Sequence, residues 1–144
     1  MRLDWSAFLK VLYESKRVVL TSHVRPDCDA LGSELGMAGI LEAVGKDVRI
    51  VNAQETPASL QWIDPRRKLE SLAQGITPAD LDDRDLLIVL DTSAWAQLGA
   101  MGEVLKRQRE RVVVVDHHDC SHFLHQDDVI SDQSQLVRSQ NDWI

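Results

Sequence analysis

Short runs that are apolar at every position recur along this chain, separated by stretches in which apolar residues return every three or four positions. Val18-Val19-Leu20, Leu86-Leu87-Ile88-Val89-Leu90 and residues 112–115 are such runs, and residues 48–51 form a further run interrupted only by Arg49. A strand without polar alternation is buried on both faces, as parallel strands are when helices cover both sides of the sheet. The spacers carry helical signals. Trp5, Phe8, Leu9 and Leu12 fall at helical spacing behind Asp4, a residue suited to cap the start. Leu31, Leu35, Ala38 and Leu41 repeat across 30–44, with Gly45 as the stop. A third helix is predicted over about 96–109. Thr56-Pro57 and Thr77-Pro78 each place a proline just inside a short helical turn. The alternation predicts an α/β fold: a mostly parallel sheet with helices on both faces, and 17–21 as its first and central strand.

The rhythm stops near residue 118. Gln, Asp and Ser dominate 126–140, and only Val129, Ile130, Leu136 and Val137 offer material for one weak helix or strand. The expected organisation is a domain over 1–118 followed by an irregular or weakly structured tail over 119–144. A sheet left incomplete at that end would expose an apolar edge and favour a homo-oligomer.

Composition narrows the function classes. The 144 residues suit one domain, and a net charge of −7 with a pI near 5.1 argues against sequence-independent coating of DNA. A nucleic-acid or nucleotide substrate stays open, because bound cations would invert the local field. Cys28 and Cys120 form neither a disulfide framework nor a zinc-ribbon spacing, which points to a reducing cytoplasm. No apolar run has the length of a membrane span, and no membrane partner is expected.

The chemistry gathers where the strands end. Val18-Val19-Leu20 leads into His23, then Asp27 and Asp29; Leu90 hands over to Asp91; Val115 is followed by Asp116-His117-His118. Side chains released at the carboxyl ends of parallel strands are how an open α/β sheet builds a site. Carboxylates and imidazoles without thiolates suit Mn²⁺ or Mg²⁺ better than a structural zinc. Pro26 is expected to hold Arg25 extended and to stiffen a loop in which Asp27 and Asp29 turn to one side. The helix beginning near Ala30 would offer free N–H groups to phosphate, Gly32 a close approach, and Ser33 a hydroxyl to hold a carboxylate. Arg25 could screen substrate charge. Taken singly, 27–29 also reads as an Asx turn capping a helix, Asp91 as a cap, and 116–118 as a surface loop. Trp62 and Trp95 are expected to pack in the core or against a partner rather than on bases.

The stretches His23-Val24-Arg25-Pro26-Asp27-Cys28-Asp29-Ala30-Leu31-Gly32-Ser33, Val89-Leu90-Asp91-Thr92-Ser93 and Val115-Asp116-His117-His118 resemble, in this order, the DHH phosphoesterase superfamily. The branch with RecJ-like exonucleases and NrnA-like oligoribonuclease/phosphoadenosine-phosphate phosphatases is the most similar. The resemblance implies a hydrolase of short oligonucleotides or small nucleotides that uses water activated by two ions, usually Mn²⁺ with Mg²⁺ as the substitute. One ion would take His23, Asp27 and Asp91, and the second Asp29, His117 and the bridging Asp91. His118 would contact the scissile phosphate and Asp116 would orient the histidines. Arg25 and Ser33 are the candidates for substrate contact.

Members of that family continue past the triplet with a fourth metal-binding Asp and a second domain. Asp119, Asp127, Asp128, Asp132 and Asp142 are candidates by type, but none stands in a strand-to-helix context. The resemblance therefore predicts a chain cut short after the triplet, with impaired activity. Two alternatives stand beside it: an inorganic pyrophosphatase of the related family, and a non-catalytic remnant that binds metal or nucleotide. A response-regulator-like domain would share the acidic strand ends but leaves His23 and His117-His118 without a role.

Overall fold

The computed structural model describes residues 5–107, 111–118 and 135–138. Six strands form one sheet: β1 (Arg17–Thr21), β2 (Asp47–Asn52), β3 (Leu69–Ser71), β4 (Leu86–Leu90), β5 (Val112–Asp116) and β6 (Gln135–Arg138). Their order is β3-β2-β1-β4-β5-β6, and every neighbouring pair is parallel. The chain moves outward from β1 through β2 to β3, then returns to β4 beside β1 and moves outward the other way. The seam between β1 and β4 is a topological switch point, the place where loops at the strand ends diverge and leave a crevice.

Strand residues alternate between two cores. Val18, Leu20, Leu86, Ile88, Leu90 and Val113 pack with Phe8 of α1 (Ser6–Glu14) and with Ala38 and Leu41 of α2 (Cys28–Ala43). Val19, Leu87, Val89, Val112 and Val114 face Leu81, Leu98 and the residues Met101, Val104 and Leu105 of α3 (Met101–Arg107). Both faces are covered, so the unbroken apolar runs follow from burial on two sides, as the pattern predicted. Gly45 ends α2 as expected: it adopts φ +84°, while Lys46 N–H reaches back to the Leu41 carbonyl. Among the described residues no helix is long and apolar enough to cross a membrane.

Several expectations are corrected. Helix α1 is flanked by Trp5, which makes no side-chain cap; Asp4 lies outside the described residues. The helix predicted over 96–109 is a 3-10 turn at Trp95–Gln97 followed by the shorter α3. Gly99 breaks it: its φ is +54°, and a Cβ there would stand 2.7 Å from Val24 Cγ1. The chain passes close beside the loop after β1 at that point, and a continuous helix cannot. Strand β3 went unpredicted because its three residues, Leu-Glu-Ser, carry no apolar run; Arg49 of β2 ties it in with two hydrogen bonds to Glu70. Leu136 and Val137 fall in β6, which pairs along β5 and covers that edge. The rest of the expected tail, with Asp119, Asp127, Asp128, Asp132 and Asp142, lies outside the described residues. Of the two tryptophans expected in the core or against a partner, Trp95 packs on the α3-side core, and Trp62 is 71% exposed and so outside the core.

Gly99→Ala is expected to lower stability by about 2 kcal/mol or more, from the positive φ together with the contact to the stiff Val24 side chain. Urea unfolding of the two proteins checks this.

Candidate metal centre at the switch point

Three strand ends deliver the site. The residue after β4 is Asp91, whose N–H donates to the Val115 carbonyl at 3.0 Å before the chain turns away. Asp91 adopts φ +62°, a left-handed conformation that Asp tolerates better than most residues but that still costs roughly 1–2 kcal/mol. Its side chain is 4% exposed. One carboxylate oxygen, Oδ2, lies 3.4 Å from His23 Nε2; the other, Oδ1, lies 2.9 Å from His117 Nε2 and 3.6 Å from His118 Nδ1. The two oxygens thus face opposite halves of one cluster.

In the first half, His23 Nδ1 donates to the Val24 carbonyl at 2.9 Å, since a carbonyl oxygen only accepts. That commits Nδ1 and turns Nε2 towards Asp91 and towards Asp27 Oδ1, 3.9 Å away. Asp27 is also the cap of α2: its Oδ1 accepts from the N–H groups of Asp29 and Ala30 at 3.0 Å. The capping and metal readings of Asp27 are compatible, because a carboxylate has acceptor capacity on both oxygens. The bond from the Ala30 amide leads in holding its carboxyl below the usual range, against some burial and with help from His23.

In the second half, His117 Nε2 stands between Asp29 Oδ2 at 3.1 Å and Asp91 Oδ1 at 2.9 Å. His118 Nδ1 donates to Asp116 Oδ1 at 2.8 Å, and the same oxygen takes the His118 backbone N–H at 3.0 Å. Burial works to raise the Asp116 carboxyl, but the bonds from the His118 amide, Ser93 and the His118 ring hold it below its ordinary value. That bond to Asp116 in turn raises His118, against its partial burial. Asp91 is pushed up by burial first and by the nearby Asp29 second.

Two sets of donor atoms lie within 4.8 Å of one another: His23, Asp27 and Asp91, and Asp91, His117 and His118. Asp91 belongs to both. The donor set suits hard or borderline divalent cations, and Asp29 adds an oxygen to the second set. A cavity of about 200 Å³ opens beside the cluster, lined by His23, Asp91, Thr92, Ser93, Gln97 and His118 among others. The Thr92 hydroxyl accepts from Ala94 N–H and donates to Gln97 Oε1, so the lining is polar and ordered by its own bonds.

All seven residues expected as metal or catalytic groups (His23, Asp27, Asp29, Asp91, Asp116, His117 and His118) converge here. Arg25 and Ser33, the two expected substrate contacts, make none of the bonds that join this cluster. Ser33 lies on the exposed face of α2 and, among the described residues, holds no carboxylate; Gly32 beside it has nothing within 4 Å of a notional Cβ. Arg25 is exposed and not extended: its φ is +53°, and its N–H donates to Gln54 Oε1 at 2.8 Å. That bond, together with Val24 N–H to the Gln97 carbonyl, overrides the bias from Pro26. Asp27 and Asp29 are not in an extended loop either. They occupy the cap and first turn of α2, and each serves a different half of the cluster. Two of the helix N–H groups expected to face phosphate are taken by Asp27.

Sequence reading missed Glu34. It follows Ser33 but points inward with Ala30, Leu31, Ala38 and Leu41, and it is fully buried. The helical phase of those apolar neighbours was the available signal. Burial pushes the Glu34 carboxyl up to about 7, only partly opposed by hydrogen bonds with Asn52 and Ser22 and by His23.

Residues 17–139 match the model of the DHH family, N-terminal domain. The chain is 32% identical over 119 residues to the cyclic-di-AMP phosphodiesterase GdpP of Bacillus subtilis (strain 168), covering 78% of this chain and 18% of that protein. It is 29% identical over 119 residues to the protein of the same name from Geobacillus thermodenitrificans (strain NG80-2), with the same coverage. The chain therefore spans under a fifth of the length of these curated relatives. The crystal structure of an exopolyphosphatase-related protein from Bacteroides fragilis shares the fold, with a TM-score of 0.74 over 92% of this chain and 37% of that one, at 24% identity.

The raised Glu34 value gives a signed prediction. Below pH 4.5 the group is protonated in both states. Between 4.5 and 7 the folded protein keeps a proton that the unfolded chain has lost, so stability falls as pH rises through that window. The full cost, on the order of 3 kcal/mol, applies above pH 7. Glu34→Gln does not titrate. In urea unfolding with a chelator present, wild type is expected to lose stability relative to this variant between pH 5 and pH 8.

Proposed function

Since the chain belongs to the DHH phosphoesterase family, we propose that it is a divalent-cation-dependent hydrolase of phosphoester bonds in short oligonucleotides or small nucleotides. The single observation that carries this reading is the buried Asp91 carboxylate, with one oxygen towards His23 and the other towards His117. His23, Asp27 and Asp91 would hold one ion; Asp29, His117 and Asp91 would hold the second. Mn²⁺ is the favoured ion and Mg²⁺ the substitute, given oxygen and imidazole donors without thiolate. Such a pair of ions, when bound, activates water and neutralises charge on the phosphoryl group.

The chain's own residues would do the rest. Asp116 Oδ1 accepts a hydrogen bond from His118 Nδ1 and favours the protonated ring, whose Nε2–H would donate to a phosphate oxygen. Thr92, Ser93 and Gln97 line the adjoining cavity with hydroxyl and carboxamide groups, which suit a phosphate and its ester oxygens better than an apolar ligand. The relatives named cyclic-di-AMP phosphodiesterase make a cyclic dinucleotide one candidate within the class, beside linear dinucleotides. Cys28 is a free, exposed thiol, which supports a reducing cytoplasmic setting.

Titration of the chain with Mn²⁺ by calorimetry is expected to give tight binding. Asp91→Asn is expected to weaken it at least a hundredfold, while the metal-free thermal midpoint stays equal or rises because a buried charge is removed. Equal Mn²⁺ affinity in both proteins would sink the reading. Mn²⁺-stimulated hydrolysis of a linear dinucleotide, cyclic-di-AMP and pyrophosphate, compared side by side, separates the nucleotide reading from a pyrophosphatase. Absence of turnover on all three, with binding intact, would favour a metal-binding remnant.

A further inference from the structure

Behind His23 lies a polar network that is buried throughout. Asn52, at the end of β2, accepts at Oδ1 from the Ser22 backbone N–H at 3.1 Å, the Thr21 hydroxyl at 3.3 Å and the Ser22 hydroxyl at 3.4 Å. Its Nδ2 donates to Glu34 Oε2 at 2.9 Å. Thr21, Ser22, Glu34 and Asn52 are each at most 2% exposed.

The chemistry allows only one orientation. A backbone N–H is a donor alone, so the Asn52 oxygen must face Ser22 and its amide nitrogen must face α2. An amide nitrogen buried there needs an acceptor, and Glu34 supplies it. The cost of leaving such a donor unpaired explains why a carboxyl group is tolerated in the interior of α2 at all. Residue 22 immediately precedes His23, so the network sets the exit of the chain from β1 and with it the line from the imidazole to Asp91.

We propose that Glu34 is a positioning residue for His23, acting through Asn52 on the end of β1. The inference rests on the reading of His23 as a metal ligand for its functional consequence, though not for its geometry. Glu34 touches neither ion nor substrate in this account. It supplies the acceptor that keeps Asn52 oriented, and the oriented Asn52 keeps Ser22 and therefore His23 in register with Asp91. Outer partners of this kind commonly weaken metal binding about 10- to 100-fold when removed.

The test uses the full chain and three variants. Glu34→Met fills the space without an acceptor, Glu34→Gln keeps an acceptor, and Leu41→Ala lowers core stability without touching the network. Two quantities are read: Mn²⁺ affinity, from the free-ion electron paramagnetic resonance signal, and the His23 ring tautomer, from long-range proton–nitrogen NMR correlations. Wild type is expected to show a single tautomer protonated at Nδ1. Glu34→Met is expected to weaken Mn²⁺ binding about 10- to 100-fold and to average the ring signature. Glu34→Gln restores both towards wild type, and Leu41→Ala leaves both in place despite a lower thermal midpoint. A folded Glu34→Met with wild-type affinity and ring signature overturns the proposal, as does an equal loss in Leu41→Ala. Where Glu34→Met gives no cooperative unfolding transition, Asn52→Ala carries the same test. A chain that binds no Mn²⁺ sinks the ligand reading, and the ring signature then decides on its own whether Glu34 positions His23.

Discussion

Asp91 sits where β1 and β4 part company, in a left-handed backbone conformation, with an imidazole on each side of its buried carboxylate. Each of those features is unfavourable by itself. The backbone conformation costs free energy, burial of a carboxylate costs more, and the nearby Asp29 adds repulsion. They occur together where Asp91 follows β4 directly and meets His23 on one side and His117 on the other. The Asp91 N–H continues the ladder to β5, and at the same residue the backbone turns into the left-handed region. The sheet topology thus sets the position, and the strained backbone falls there.

The surrounding charges have the same character. His117 Nε2 lies near 3 Å from two carboxylate oxygens, of Asp29 and of Asp91, yet carries at most one proton to share between them. Asp27 and Asp91 likewise share the Nε2 side of His23. Carboxylates gathered around single imidazole nitrogens are poorly served by protons and well served by dications, which accept several oxygen and nitrogen donors at once. Such a group is not assembled for stability: Asp91 is buried, and pairs between exposed groups such as Asp29 and His117 add little.

The sheet was legible because its central strands are covered on both sides, which leaves uninterrupted apolar runs at 18–20, 86–90 and 112–115. The site was legible for a related reason: strand ends in such a sheet converge, so letters far apart in the sequence meet in space. What escaped were features set by tertiary contact. Gly99 ends a helical pattern only because Val24 passes beside it. Arg25 leaves the extended region only because Gln54 takes its N–H. Strand β3 is held by its pairing with β2 and by Arg49, with no run of its own. Glu34 looked like any polar residue of a surface helix, although Ala30, Leu31, Ala38 and Leu41 fix a phase that turns it inward.

The two halves of the cluster differ in how firmly they are built. His23 is 17% exposed, with Nδ1 committed to a carbonyl and its chain anchored through Ser22 and Asn52. His117 and His118 are 41% and 57% exposed, and their rings lie 4.3 Å apart between centroids, tilted by 42°. One half is therefore fixed by buried hydrogen bonds, the other by contacts among the site residues themselves. Buried hydrogen bonds hold geometry whether or not a ligand is present, whereas contacts between exposed charged groups are weaker and screened by solvent. Each half has a buried carboxyl behind it: Glu34 stands behind His23 by way of Asn52 and Ser22, and Asp116 bonds the His118 ring directly. The His23 end of the sheet's seam is anchored from within through Ser22 and Asn52, while the His118 ring at the cavity's open side bonds its neighbour Asp116.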